Sequence, residues 1–277
     1  MKFKRLSIIL VFMLLLNMLA SSFVFAKTAP APKSKLNIVA LGDSITFGYP
    51  PPSTTAFPDL ISGARNVVKF GGSGATTSEL LAAINSDPKE FKKALKKADA
   101  ITINIGSNDF MQETGVASLF AELQPLVPNL EENLANGEIA KVIASTSLTP
   151  LTAQQLEQYT KNLNIIIETI KKHTKAPILL YNLYNPIVLS MNPILDELLL
   201  VPLHTFVEGN LMVVNHRIIQ HVGNVTGAHV VDAYSAIKEN PAAYIIPFDI
   251  HPTPAGHKAL ALLADSKIQL IEKKSKY

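Results

Sequence analysis

The sequence predicts a three-layer α/β domain with a mainly parallel sheet of five strands. Five short apolar runs alternate with longer segments of helical periodicity along most of the chain. The runs are continuously apolar rather than alternating, which is typical of parallel strands that are covered on both faces. Roughly 240 residues are enough for one such domain with a single large core. We therefore expect a parallel sheet between two layers of helices.

The elements of this domain follow one another in a regular order. The apolar runs that predict strands are 36–41, 66–70, 100–105, 176–183 and 228–234. The clearest helical segments are 77–85, 119–135, 152–173, 207–222 and 253–274. In an open parallel sheet, ligands bind outside the carboxyl ends of the strands. The residues that directly follow each strand are therefore the candidates for a functional site.

The first 26 residues have the pattern of a secretory signal peptide. A basic start is followed by the apolar run 6–20, and small residues precede a cleavage point after Ala26. Residues 27–35 are rich in Pro, Ala and Lys and are interpreted as a linker. An uncleaved N-terminal anchor is the alternative, but the apolar run is short for a membrane span. We expect one mature domain, 36–277, that is secreted into the medium or associated with the cell wall.

Charge and cysteine content exclude several classes of protein. The chain has 25 basic and 22 acidic residues, but three of the basic ones (Lys2, Lys4 and Arg5) lie in the predicted signal peptide. The mature chain is therefore formally neutral, and its charge gives no argument for nucleic acid binding. The absence of cysteine excludes disulfides, a thiolate nucleophile and a lipid-modified N-terminal cysteine.

Four polar segments follow predicted strands or precede the last helix. They are "GDS" at 42–44, "GGSGATT" at 71–77, "GSNDF" at 106–110 and "FDIHPTPAGH" at 248–257. Each segment alone is weak evidence, because Gly/Ser loops are usually turns and Asn or Asp commonly caps a helix. Together they supply a hydroxyl, a glycine-rich backbone, an amide and an imidazole at one edge of one sheet, which are the groups that acyl transfer needs.

These four segments resemble, in order, the motifs of the GDSL or SGNH hydrolases. The resemblance runs over about residues 36–270, and the joint set of motifs is specific although no single motif is. It implies a flavodoxin-like α/β/α sandwich and a serine ester hydrolase. It further implies Ser44 as nucleophile and His251 as its base. The backbone N–H groups of Ser44 and Gly74 and the side-chain amide of Asn108 would form the oxyanion hole. Gly71 is the alternative to Gly74.

The acidic residue departs from the family pattern. The family usually has Asp three residues before the histidine, but position 248 is Phe and Asp249 lies two residues before His251. The resemblance makes Asp249 the residue that orients His251, while a backbone carbonyl or Asp232 are alternatives. We expect Pro252 to lie in the first turn of the last helix, where the missing N–H costs nothing.

Other polar residues are assigned structural roles. Asp43 and Asp109 are expected to hold their loops through hydrogen bonds to backbone N–H groups. His257 is expected to lie on the helix surface or to pack within the fold. No histidine and carboxylate spacing suits a metal, and the glycine-rich segment lacks a phosphate-loop ending, so no cofactor is expected. The apolar segment 184–206 predicts either a lid or acyl-binding wall over Ser44 or ordinary core packing, and the insertion around 111–136 has the same two interpretations.

The sequence thus favours a secreted serine esterase, lipase or acylhydrolase that acts through an acyl-enzyme. A polysaccharide O-acetyl esterase on the same scaffold is one alternative. A cell-surface binding protein that has lost turnover through its altered acid position is another. We expect a monomer that acts on small-molecule or lipid esters without metal or nucleic acid, and that contacts a membrane or cell-wall surface only transiently.

Overall fold

The structure is a computed structural model that describes residues 35–49, 55–190 and 192–274. These residues belong to one compact unit, Ser34–Tyr277. The predicted signal peptide lies outside the described residues, as does the linker except for Lys35.

Five strands form an all-parallel sheet in the described ranges, which confirms the predicted fold class. The strands are β1 Leu36–Gly42, β2 Ala64–Gly71, β3 Ala100–Asn104, β4 Ile178–Tyr181 and β5 His229–Val231. Their order across the sheet is β2-β1-β3-β4-β5. The chain moves from β1 to one side and then returns to the other, so a topological switch point lies between β1 and β3. Ligand sites in such sheets form at this point, beyond the carboxyl ends of the two strands.

Helices cover both faces of the sheet. They are α1 Ser44–Phe47, α2 Thr77–Ser86, α3 Pro88–Leu95, α4 Ser107–Glu113, α5 Val116–Leu123, α6 Leu130–Ala135, α7 Glu138–Ser145, α8 Ala153–Lys171, α9 Pro193–Thr226, α10 Ala233–Lys238, α11 Pro241–Tyr244 and α12 Pro254–Lys274. Short 3-10 turns occupy Phe57–Leu60 and Gln124–Asn129. Helices α2 and α8 each begin with a capping box, which satisfies N–H groups that the first turn leaves unpaired.

The two faces of the sheet pack into two separate apolar clusters. In β1, Val39 and Leu41 point into one cluster while Ile38 and Ala40 point into the other, because successive residues of a strand face opposite sides. Helices α2, α8 and α9 cover the first face, and α10 and α12 cover the second. All four side chains are at most 2 % exposed, which explains why the strands are continuously apolar.

Helix α9 differs most from its prediction. It begins at Pro193 rather than at 207, and it contains π-helical turns at Asp196–Leu200 and Val214–Ile219. Pro202 lies two residues after the first π turn, at the start of the α-helical part Val201–Val213. A proline lacks the backbone N–H that a regular α-helix interior uses. The helix is apolar and long enough to cross a membrane, but this is weak evidence because buried core helices share those properties.

The predicted helix 119–135 is wrong as a single element. The structure divides it into α5, a 3-10 turn and α6. Pro125 and Pro128 lie within the 3-10 turn, and a proline can neither donate to the preceding turn nor fit a continuous α-helix without a clash. The result is a compact group of short helices, α5 to α7, that packs against the first apolar cluster.

Candidate active site

Ser44 lies where β1 ends and the chain turns directly into the one-turn helix α1. Asp43 caps this helix, and its Oδ1 accepts a hydrogen bond of 3.0 Å from the backbone N–H of Ile45. Gly42 is required at the turn because a Cβ there would lie 2.2 Å from the carbonyl oxygen of Asn104. Ser44 is therefore the first residue of a helix, where backbone N–H groups have no partner within the helix.

The structure brings together the three residues predicted to be catalytic. Ser44 Oγ lies 2.9 Å from Nε2 of His251, and Nδ1 of His251 is in direct contact with Oδ1 of Asp249. Ser44 is 3 % exposed and His251 is 8 % exposed, so their hydrogen bond is shielded from water. A hydroxyl, an imidazole and a carboxylate in this order are the groups that convert a serine into a nucleophile. Their chemical role stays a prediction.

The unusual spacing of the acid is accommodated by a tight turn. Oδ1 of Asp249 accepts hydrogen bonds from the backbone N–H of Ile250 at 2.6 Å and of His251 at 3.1 Å. Phe248 has a φ of 56°, a conformation that non-glycine residues rarely adopt. The carboxylate of Asp249 folds back over the backbone that follows it, as in an Asx turn. Three donors, two backbone groups and the imidazole, converge on one carboxylate oxygen.

Asp249 is ionised more readily than an ordinary aspartate. Its burial acts to raise the pKa, but the hydrogen bond and the charge of His251 outweigh that effect and lower the pKa below its ordinary value. A charged carboxylate against Nδ1 fixes the proton on that nitrogen. Nε2 is then free to accept the proton of Ser44.

The alternative acid and the expected position of Pro252 are not found. Asp232 caps α10, and its Oδ1 accepts hydrogen bonds from the backbone of Ser235 and from Asn182, so the structure does not bring it to His251. Helix α12 begins at Pro254, so Pro252 is not in its first turn and that expectation is wrong. The hydroxyl of Thr253 accepts a hydrogen bond from the backbone of Gly256, which places the start of the helix after Thr253.

The predicted oxyanion donors lie at the start of α1, in the first turn of α4 and in the loop before α2, and Asn108 contacts the other two segments. The side-chain Nδ2 of Asn108 donates to the carbonyl oxygen of Ala75 at 3.1 Å and to Oδ2 of Asp43 at 3.5 Å. Asn108 therefore joins the loop that contains Gly74 to the turn that contains Ser44. Gly74 has a φ of 76° and open space where a Cβ would lie. The long contact to Asp43 is weak, so that N–H is available to a substrate oxygen.

Gly71, the alternative to Gly74, has a separate structural reason to be glycine. Its φ is 117°, and a Cβ would lie 1.9 Å from the carbonyl oxygen of Gly42.

Asp109 accepts hydrogen bonds from the backbone N–H and the hydroxyl of Thr77, at 2.8 and 2.5 Å. The expectation that Asp43 and Asp109 hold their loops through backbone N–H groups is therefore confirmed.

Asp43 is the most perturbed acid beside the site. Complete burial raises its pKa from 3.8 to about 7, although the hydrogen bond from Ile45 and the charge of His251 act in the opposite direction. The nearby Asp109 adds to the increase. Asp43 therefore changes protonation near neutral pH, while its side chain contacts Asn108.

Two aromatic side chains near His251 were not predicted. The ring of Tyr49 lies 4.9 Å from that of His251, centroid to centroid, in a tilted arrangement. The hydroxyl of Tyr184 donates to the carbonyl oxygen of Ile250 at 2.9 Å. Tyr184 follows the carboxyl end of β4, a position that the strand-end rule indicates. Nothing in the sequence distinguishes Tyr49 from a surface loop residue.

His257 is a buried packing residue. It is 1 % exposed, and neither ring nitrogen has a hydrogen-bond partner among the described residues. Burial, together with the charge of His251, lowers its pKa to about 4. His257 therefore stays neutral at physiological pH, which fits the packing role among the two alternatives that the sequence left open.

A cleft of about 420 Å³ lies between α4 and α8 and is lined mainly by polar side chains of these two helices. None of the predicted catalytic or oxyanion residues lines it. Within residues 35–49, 55–190 and 192–274, no group of three or more His, Asp or Glu side chains suits a metal ion.

An α/β fold with this serine, imidazole and carboxylate at its switch point has the architecture of a serine-type hydrolase. The chain belongs to the GDSL-like lipase/acylhydrolase family, whose model matches residues 40–259. Membership in this family makes it an ester hydrolase by class. This confirms the resemblance drawn from the four motifs.

Solved structures show the same fold. A lipase from a goat rumen metagenome is 22 % identical with a TM-score of 0.53, over 83 % of this chain and 96 % of that one. A protein described as a GDSL-like lipase from Parabacteroides merdae is 15 % identical with a TM-score of 0.51, over 85 % and 97 %. At these identities the likeness concerns the fold alone. No curated protein matches the chain significantly.

Proposed function

We propose that this protein is a secreted serine ester hydrolase that works through an acyl-enzyme. The observation that supports this most is the 2.9 Å hydrogen bond between Ser44 Oγ and His251 Nε2, with Asp249 on the opposite ring nitrogen. A serine hydroxyl is a weak nucleophile at neutral pH and needs such a base. Family membership supports ester hydrolysis as the reaction.

The reaction begins when Ser44 Oγ attacks the ester carbonyl carbon and its proton passes to Nε2 of His251. The carbonyl π electrons move to the oxygen, which the N–H groups of Ser44, Gly74 and Asn108 stabilise. Collapse of this intermediate breaks the bond to the alcohol, which leaves with the proton from His251. Water then attacks the acyl-enzyme with His251 as base, and the acid is released as Ser44 recovers its proton.

The test is hydrolysis of p-nitrophenyl esters by the wild type and by Ser44→Ala. We expect turnover by the wild type and a loss of at least about 10³-fold in the variant, because only oxyanion stabilisation and binding remain. Folded wild-type protein without turnover on any ester would support a binding protein instead. Activity that survives in Ser44→Ala would contradict the mechanism.

Secretion is proposed from the N-terminal segment alone. Residues 1–26 have the basic, apolar and small-residue regions of a signal peptide. We expect protein recovered from the culture medium to begin at Lys27. Full-length protein retained in the membrane fraction would support the anchor instead.

A further inference from the structure

We propose that the acyl chain of the substrate binds in an apolar seam that runs from beside Ser44 to between α5–α6 and the segment 186–203. The seam consists of three small cavities that share lining residues: Pro186 lines the first and the second, and Val127 lines the second and the third. This inference rests on the proposed function, because it assigns a site to the acyl part of that ester. It names the substrate class as esters of medium-chain acids rather than acetate.

The first cavity of the seam adjoins the predicted catalytic residues. Ile45, Ser107 and Ile250 line it, and each is the chain neighbour of a predicted site residue. The rest of the wall is almost entirely apolar: Phe110, Met111, Leu183, Tyr184, Pro186 and Leu211. The first cavity is therefore an apolar space walled by the chain neighbours of Ser44, Asn108 and His251.

The second and third cavities continue the seam between α5–α6 and the segment 186–203, and Asp249 of the site lies in the wall of the second. Pro186 lines both the first and the second cavity. Val127, Leu199 and Phe248 line both the second and the third, which extends to α6 and α7. Apart from Gln124 and Asp249, the lining side chains of these two cavities are apolar. The lining of the seam therefore matches the chemistry of a hydrocarbon chain.

The seam is narrow in this structure, so an acyl chain has to displace its walls. The three cavities measure about 20, 20 and 10 Å³, which is room for about one water each. An acyl chain that separates these walls gains contacts with their apolar lining atoms. A wall that can adjust is therefore required.

The walls contain two local departures from regular backbone. Leu199 and Leu200 belong to the π-helical turn Asp196–Leu200, and π turns inside α-helices occur frequently at functional sites. Phe248 has a φ of 56°, and residues in such conformations cluster at ligand clamps and active sites. Phe248 also precedes Asp249, so the seam reaches the residue that orients His251.

The expected specificity follows from the burial of methylene groups. Each methylene that moves from water into the seam raises kcat/KM by about fourfold when its burial is complete. Partial burial along a narrow seam reduces this gain. We therefore expect octanoyl esters to exceed acetyl esters by about tenfold to a hundredfold in kcat/KM.

The test compares p-nitrophenyl esters from acetyl to decanoyl in the wild type, Val127→Trp and Val225→Trp. Val127 is partly exposed at the wall between the second and third cavities, so a larger side chain fills the seam without entering the main core. Val225 is 66 % exposed on α9 outside the seam and provides the matched control. We expect Val127→Trp to lower the octanoyl-to-acetyl ratio by about tenfold and Val225→Trp to leave it unchanged.

A binding measurement separates failure of the seam from failure of the proposed function. A fluorescent medium-chain fatty acid should bind to Ser44→Ala, and adding Val127→Trp should weaken that binding by about tenfold. An unchanged chain-length ratio in folded Val127→Trp would overturn the seam, as would a wild type that prefers acetyl. Absence of all turnover would overturn the proposed function, and the binding result would still decide the seam.

Discussion

The turn around Asp249 predicts an unusual tolerance of Asp249→Asn. In the native turn, Oδ1 accepts hydrogen bonds from Ile250, from the backbone of His251 and from its ring. The two backbone N–H groups favour an oxygen acceptor at this position in the wild type and in Asp249→Asn alike. An asparagine can satisfy all three donors by placing its amide oxygen where Oδ1 lies. The proton of His251 then stays on Nδ1, and Nε2 still faces Ser44.

The expected loss of activity in Asp249→Asn therefore comes from the missing negative charge, because the proton of His251 stays on Nδ1. A hydrogen bond to a charged group contributes about 1.5–3 kcal/mol and a neutral one about 0.5–1.5 kcal/mol, a difference near 1–2 kcal/mol. This corresponds to a decrease of about fivefold to thirtyfold in kcat/KM for Asp249→Asn. Where an amide presents its NH2 to the imidazole, the loss in serine proteases is about 10⁴-fold. Asp249→Ala leaves three donors without an acceptor and should lose at least about a hundredfold.

The assay is hydrolysis of p-nitrophenyl acetate, with circular dichroism and thermal unfolding to show that each variant is folded. The wild type, Asp249→Asn and Asp249→Ala should rank in that order of activity. An asparagine variant as impaired as the alanine variant, or one with a loss near 10⁴-fold, would show that the three converging donors do not hold the amide oxygen at the position of Oδ1.

Three further predictions concern stability. Gly71→Ala should lower the free energy of unfolding by more than about 2 kcal/mol, because residue 71 has a φ of 117° and the added Cβ would clash with the carbonyl oxygen of Gly42. The control Gly72→Ala adds a Cβ with no atom within 4 Å and should change thermal unfolding little. The pKa of His257 is about 4 in the native state against 6.5 in the unfolded chain, so the unfolded chain binds more protons between these values and wild-type stability falls as the pH decreases through this range. His257→Leu should remove this loss of stability, which urea unfolding across the same pH range measures. Asp43→Asn should remove the opposite trend, because a native pKa of about 7 against 3.8 makes the native state bind more protons, so wild-type stability falls as pH rises from 3.8 to 7. Parallel slopes of wild type and variant would contradict either pH prediction.

The fold was predictable because its signals are local. Continuous apolar runs and helical periodicity identify strands and helices, and a parallel sheet places the residues after β1 and β3 at one edge. Ser44 and Asn108 follow those strands, so their proximity could be inferred. The position of His251 came from the family resemblance, since its segment has no secondary structure that would place it.

The geometry around these residues was not predictable for physical reasons. The contact between Asp249 and His251 belongs to a turn that follows a left-handed backbone at Phe248, a conformation that a phenylalanine does not favour. Helix α9 contains Pro202 near a π turn, whereas a proline in an apolar segment usually indicates the end of a helix. The local sequence favours neither feature and therefore does not indicate it.

Covalent labelling is the most direct test of whether Ser44 is the nucleophile. The protein is treated with a fluorophosphonate, whose phosphorus is attacked by an activated serine with loss of fluoride, and the digested product is analysed by mass spectrometry. We expect one phosphonyl group per chain, located on Ser44, with esterase activity falling in proportion to labelling. Labelling at another residue, or full activity in protein labelled at Ser44, would contradict it.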